Sequence, residues 1–188
     1  MSAVRVGGTE PGGEPAPIVA LQRALAGEFE RDPRGPRAAA ILGAYARQHV
    51  DWRGFAHFAP GCYTRNLVAR TEHYELLVLC WQPGVESPIH DHAGQHCWMA
   101  VLEGRIEEVH YAWPEPDARG AMRARGSRVF EAGQVAYIDD GIALHLVRPA
   151  DGRLGVSLHL YARPIERCLA YDAATGAVLP RQLTYHSA

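Results

Sequence analysis

The chain has 188 residues, 47% of them hydrophobic, which suits one domain of ordinary size able to bury its own core. Its formal net charge is -2, all 19 basic residues are arginine and no block of like charges occurs, so the charge balance points to neither nucleic acid nor an anionic membrane as partner. No apolar run approaches bilayer length, and Met1 to Pro17 is Gly- and Pro-rich without the hydrophobic core of a signal peptide, so a cytoplasmic protein is expected.

A mobile tail is expected to about Pro15. Ile18, Leu21, Leu25 and Phe29 then recur at helical spacing, and Pro36 is placed to open a second helix carrying Ala40, Leu42 and Tyr45. From Cys62 the signal changes to short segments rich in Val, Leu, Tyr and Thr between Gly, Pro and Asp turns. Strands are expected near Tyr63–Ala69, Tyr74–Trp81, Cys97–Leu102, Arg105–Ala112, Arg128–Glu131, Gln134–Ile138, His145–Arg148, Gly155–Tyr161 and Cys168–Asp172, with a surface loop over Pro114–Gly126. So many short strands imply an all-β core, an antiparallel sandwich or barrel, capped by the two helices. The expected unit is a single domain over 16–188, with helices in about 16–56 and the barrel in about 62–188.

Three strand segments carry chemistry. Alternation puts Tyr63, Arg65 and Leu67 on one face, and a charge there needs a partner. Arg65 offers a planar fork for a substrate carboxylate; a structural ion pair with an Asp or Glu, or a solvated face, would satisfy it equally. In Gly155–Tyr161, Ser157, His159 and Tyr161 form a polar row backed by Val156, Leu158 and Leu160. In a barrel lined by that row, Ser157 would orient His159 and His159 would hydrogen-bond the Tyr161 hydroxyl; the bland reading is a half-exposed strand. His90 and His92 stand two apart after a Pro and before the apolar run Trp98–Leu102, so both imidazoles on one strand face would reach one ion from roughly 2 Å. His110 and His186, alone, read as hydrogen-bonded or surface residues. Cys62, Cys80, Cys97 and Cys168 form no Cys-x-x-Cys pair, against a zinc knuckle or redox disulfide. The abundance of Ala, Gly, Pro and Arg suggests a GC-rich bacterial genome.

The stretch from Gly84 to Gly104 resembles the first cupin metal motif, with Cys97 where a carboxylate ligand is usual. His145, in Ile142-Ala-Leu-His-Leu-Val147, takes the place of the second motif, although Asp139-Asp140-Gly141 departs from its usual Pro and Gly. Together, Tyr63-Thr64-Arg65-Asn66, Cys80-Trp81, His90-Asp91-His92, His96-Cys97, Leu144-His145 and Ser157-Leu158-His159-Leu160-Tyr161 closely resemble the cysteine dioxygenase family, thiol dioxygenases of the cupin superfamily, from about Cys62 to Cys168. The resemblance implies a cupin β-barrel (antiparallel jelly roll) and non-haem Fe(II) held by His90, His92 and His145. It implies L-cysteine and O2 as substrates, with Arg65 and Tyr63 on the carboxylate and Trp81 and Cys168 lining the pocket. It further implies a thioether between the Cys97 sulfur and the Tyr161 ring, which would pin the phenol beside the metal, and cysteine sulfinate as product.

One departure concerns the segment after Tyr161. The family often has Ser-Pro with a cis bond there, whereas this chain reads Ala162-Arg163-Pro164, so no cis peptide is expected and Arg163 is a candidate for the pocket mouth. Relatives that prefer 3-mercaptopropionate typically carry Gln where this chain has Arg65, which favours cysteine. The rival readings are a thiol dioxygenase of broader specificity and a non-catalytic metal-binding cupin. A monomer is expected.

Overall fold

The structure is a computed structural model that describes residues 15–114 and 120–188. The expected tail therefore lies outside the described residues except for Pro15, as does the 115–119 part of the expected loop.

Helix α1 (Pro17–Arg31) opens on Pro17, whose fixed φ suits a first turn, and buries Ile18, Leu21, Leu25 and Phe29. Ala16 at its N-cap has no capping side chain. The cap comes from far along the chain, where Asp51 Oδ2 accepts the Ile18 N–H at 2.8 Å and Asp51 Oδ1 accepts the Tyr45 hydroxyl at 2.8 Å. Helix α2 (Ala38–Gln48) starts two residues after Pro36 and buries Ala38, Leu42 and Tyr45, and a short 3₁₀ helix follows at Asp51–Phe55.

Eleven strands follow among the described residues: β1 (Thr64–Arg70), β2 (Tyr74–Trp81), β3 (Ile89–His90), β4 (Cys97–Glu103), β5 (Arg105–Tyr111), β6 (Ala124–Glu131), β7 (Val135–Ile138), β8 (Leu144–Pro149), β9 (Gly155–Ala162), β10 (Arg167–Tyr171) and β11 (Val178–Gln182). They form a five-stranded sheet, β1-β2-β9-β4-β7, and a six-stranded sheet, β11-β10-β3-β8-β5-β6. Every strand pairing is antiparallel, giving the cupin jelly roll. Two strands escape the sequence reading. β3 is only two residues long, and β11, although fully exposed, is held by its register with β10. β6 begins at Ala124, four residues before the expected start and inside the expected loop, because it follows β5 back to Tyr111.

The helices explain why β2 and β9 are buried along their whole length. Leu76, Val78, Leu158 and Leu160 face the helices and pack with Leu25, Phe29 and Leu42. Phe29 stacks on Tyr74 at 5.8 Å and meets the edge of Trp98 at 6.1 Å. The alternate residues Leu77, Leu79, Met99 and Val101 turn into the barrel against Ile106, Phe130 and Val147 of the second sheet. Leu158 and Leu160 thus pack outward while Ser157, His159 and Tyr161 turn inward, as alternation predicts.

Candidate active site

Three ring nitrogens, one each from His90, His92 and His145, lie within 4.8 Å of one another. His90 ends β3 and His145 lies directly opposite it on β8. Their Nε2 atoms approach to 3.2 Å, close to the roughly 3 Å separation of two nitrogens bound at right angles to one ion at about 2.1 Å. His92 departs from the simple strand argument, because β3 stops at His90 and His92 sits in the loop beyond. That loop is held by Asp140, whose Oδ1 accepts the His92 N–H at 2.7 Å and whose Oδ2 accepts the Gly94 N–H at 2.6 Å.

The donor set fits a metal. His92 is fully buried, yet neither ring nitrogen has a hydrogen-bond partner among the described residues, a cost that a coordinated ion removes. Burial, together with the neighbouring His92, lowers the His90 pKa to about 3, and burial with His90 pushes His145 well below the usual histidine value. The imidazoles of His90 and His145 are therefore neutral and present lone pairs, as ligands must. The other ring nitrogen of His90 is 2.9 Å from the Pro88 carbonyl, and that of His145 is 2.7 Å from Glu108 Oε1.

A cavity of about 540 Å³ reaches this cluster at His90 and is lined also by Tyr161, Arg65, Tyr63, Cys168, Arg181 and His186. Arg65 is 7% exposed and its Nε has no partner among the described residues. One of its other nitrogens lies 3.4 Å from Glu75 Oε2, and its guanidinium carbon is 5.7 Å from the Tyr161 ring centre. Burial opposes its charge, but Tyr161 and Glu75 outweigh burial and hold the guanidinium more firmly protonated. Both readings of this arginine thus hold at once, an ion pair behind it and a cavity in front. Glu75 is fully buried and also meets Arg70 at 3.5 Å and the Tyr185 hydroxyl. Nothing in the local sequence around Tyr74 announces that pairing.

Tyr63 stacks on Trp81 with centroids 4.9 Å apart. Trp81 does not reach the cavity, and instead its indole N–H donates to Ser157 Oγ at 2.8 Å. Ser157 in turn lies 3.0 Å from His159 Nε2, so the predicted orienting contact is made. The predicted bond from His159 to the Tyr161 hydroxyl is not: His159 Nδ1 has no partner among the described residues and the ring centres are 6.4 Å apart. The one paired nitrogen of the His159 ring is committed to Ser157 instead. Burial, then Arg65, lowers the His159 pKa to about 3, so this ring is neutral.

Cys97 on β4 is the direct cross-strand partner of Tyr161 on β9, and both are buried. Burial pushes the Cys97 thiol and the Tyr161 phenol well above their ordinary values; Cys97 raises Tyr161 further, whereas a hydrogen bond with Tyr161 opposes the rise at Cys97. Arg163 does not join the site. It is exposed, takes a left-handed φ of 77°, and leaves Ile165 to line the cavity. The described residues contain no cis peptide bond.

The C-terminal segment completes the wall. Leu67 N–H donates to the Ser187 carbonyl and His186 N–H to the Arg65 carbonyl, both at 2.8–2.9 Å, so the segment lies along β1. Sequence reading left this segment unassigned, because its pairing partner lies over a hundred positions away and only tertiary structure brings them together.

The family profile described as Cysteine dioxygenase type I matches residues 14–174. Cysteine dioxygenase type 1 of Homo sapiens is 38% identical over 150 residues, covering 79% of this chain and 74% of the relative. The protein of the same name from Danio rerio is 36% identical over 149 residues, covering 78% and 74%. Among solved structures, an uncharacterized protein with a double-stranded beta-helix domain from Klebsiella pneumoniae aligns with a TM-score of 0.48 at 15% identity, covering 72% of this chain and 98% of that one. With a family profile spanning most of its length and relatives above 30% identity, this chain belongs to the cysteine dioxygenase type I family.

Proposed function

We propose that the protein oxidises L-cysteine with O2 to L-cysteine sulfinate at non-haem Fe(II) held by His90, His92 and His145. The observation that carries this reading is Arg65: a buried guanidinium lines the same cavity as His90 of the histidine cluster, which suits a small substrate bearing both a carboxylate and a metal-binding thiol. When bound, iron supplies open coordination positions that gather thiolate and dioxygen and lowers the pKa of the thiol.

The remaining work falls to the chain. Arg65 takes the carboxylate from the cavity it lines, while Glu75 holds the guanidinium from behind. Tyr63, stacked on Trp81, walls the carboxylate side and keeps water from the guanidinium. Tyr161 places a neutral phenol O–H at the cavity wall, where it donates to substrate or oxygen and restrains side reactions. Trp81, Ser157 and His159 form a fixed chain behind it. The balance is one thiol plus one O2 giving one sulfinic acid, with no other reductant. Register supports a Cys97–Tyr161 thioether, formed by loss of one hydrogen from the thiol and one from the ring to dioxygen. Cys168 lines the cavity as a neutral thiol, its pKa raised to about 11 chiefly by burial. We take the functional unit as a single domain over 16–188, acting as a cytoplasmic monomer. Four free cysteines agree with a reducing compartment, and no described helix is long and apolar enough to cross a membrane.

The test is to load Fe(II) anaerobically, add L-cysteine, admit oxygen and compare oxygen consumed with sulfinate formed. A ratio of one supports the proposal. Faster turnover of 3-mercaptopropionate or cysteamine would replace the substrate, and iron binding without oxygen uptake on any thiol would leave a non-catalytic cupin.

A further inference from the structure

His145 differs from the other two histidines of the cluster in what stands behind it. His90 leans on a backbone carbonyl. Asp140 spends both oxygens on backbone N–H groups and lies 3.5 Å from His92 Nδ1. His145 Nδ1 alone makes a short contact with a carboxylate, 2.7 Å from Glu108 Oε1. A carboxylate only accepts, so that nitrogen carries the proton and Nε2 presents its lone pair to the cluster.

Glu108 is 3% exposed, on the inward row Ile106, Glu108, His110 of β5, beside β8. Arg128 lies opposite it on β6, yet the guanidinium rests over the Phe130 ring at 4.8 Å, and the second carboxylate oxygen goes instead to His110 Nε2 at 3.3 Å. The His110 side chain is 34% exposed, so the line His145, Glu108, His110 runs from the histidine cluster along one face of β5 to a ring that reaches solvent. A carboxylate this deep is costly unless it is paired, and it is spent on two histidines although an arginine is within reach.

We infer that Glu108 is a positioning residue of the metal centre: it fixes the tautomer and orientation of His145, and supplies just outside the ligand set the negative charge that three neutral histidines lack, with His110 anchoring it from the surface side. This rests on the metal reading of the histidine cluster.

Two substitutions separate the two roles. Glu108→Gln keeps the size and an acceptor oxygen but removes the charge, while Glu108→Leu removes both. Fe(II) and Co(II) affinities would be measured anaerobically by chelator competition, alongside the Co(II) visible spectrum, the Fe(III)/Fe(II) potential and thermal melting of the metal-free protein. The expected loss of affinity for the Leu variant is roughly 10- to 100-fold, with an altered Co(II) spectrum. The Gln variant should fall between, with a raised potential, and His110→Ala should lose a few-fold. Affinities and spectra equal to wild type in both Glu108 variants would overturn the inference. A Gln variant with wild-type potential and a weakened Leu variant would refute the charge role and retain the orienting one. Should the Leu variant not fold, the Gln variant still decides the charge role and His110→Ala the anchoring. Wild-type protein that binds neither ion would overturn the metal reading itself.

Discussion

Replacing Arg65 with Ala should weaken the handling of L-cysteine about a hundredfold while leaving metal content intact. The magnitude follows from the pairing. A charge-assisted hydrogen bond between guanidinium and carboxylate contributes about 1.5–3 kcal/mol, and a two-bond fork in a buried site would reach twice that. Glu75, 3.4 Å from Arg65 and fully buried, already offsets part of the positive charge. The lower half of the range is therefore appropriate, about 3 kcal/mol, or roughly a hundredfold. The substitution also leaves Glu75 buried with only Arg70 and Tyr185, so a second variant combining Arg65→Ala with Glu75→Gln removes the stranded charge. The assay is kcat/KM for L-cysteine and for cysteamine, which lacks the carboxylate, with iron content measured on each sample. Both variants should lose about two orders of magnitude on cysteine and only a few-fold on cysteamine, because only the former presents a partner to Arg65. Equal losses on the two thiols, or iron lost in step with activity, would refute the assignment of Arg65 to the carboxylate.

Purified protein after turnover should carry a fraction lighter by two hydrogens, seen by intact mass and mapped to the peptides of Cys97 and Tyr161; Cys97→Ser should abolish it and cost activity no more than about tenfold, since the crosslink refines positioning only. Ser157→Ala strands the buried Trp81 indole N–H and loosens His159, so it should destabilise by about 1–3 kcal/mol in denaturant unfolding, and a change within about 0.5 kcal/mol would mean the chain of contacts is incidental. The pH dependence of stability has a definite sign at His159, whose pKa falls from 6.5 to about 3 on folding through burial. Between those values the unfolded chain takes up a proton the folded one refuses. The contribution is therefore intact above pH 6.5 and is lost as pH falls toward 3, by about 1.4 kcal/mol per pH unit. Unfolding of the metal-loaded protein should show this slope, and His159→Gln should flatten it by that amount.

Local alternation and spacing determined much of this molecule. Helix α1, strands β2, β4 and β9, the inward row Ser157, His159, Tyr161 and its apolar backing could be read directly, because one face of each element is set by residues adjacent in sequence. The histidine cluster was legible for a related reason: short spaced motifs keep their order whatever the loops between them do. Tertiary structure alone decided the partners. The Asp51 cap of α1, the Glu75 behind Arg65, the Glu108 behind His145, the two-residue β3 and the return of the C-terminal segment to β1 each join distant parts of the chain. Sequence does hold a hint of Glu108, a charge on the inward parity of Ile106, but parity names a face and not a partner. Arg163 shows the same limit in reverse: one left-handed residue turned it outward, and its charge said nothing of that. A buried charge is a local fact of composition, whereas what neutralises it depends on strand register across the sheet, which only the folded barrel fixes.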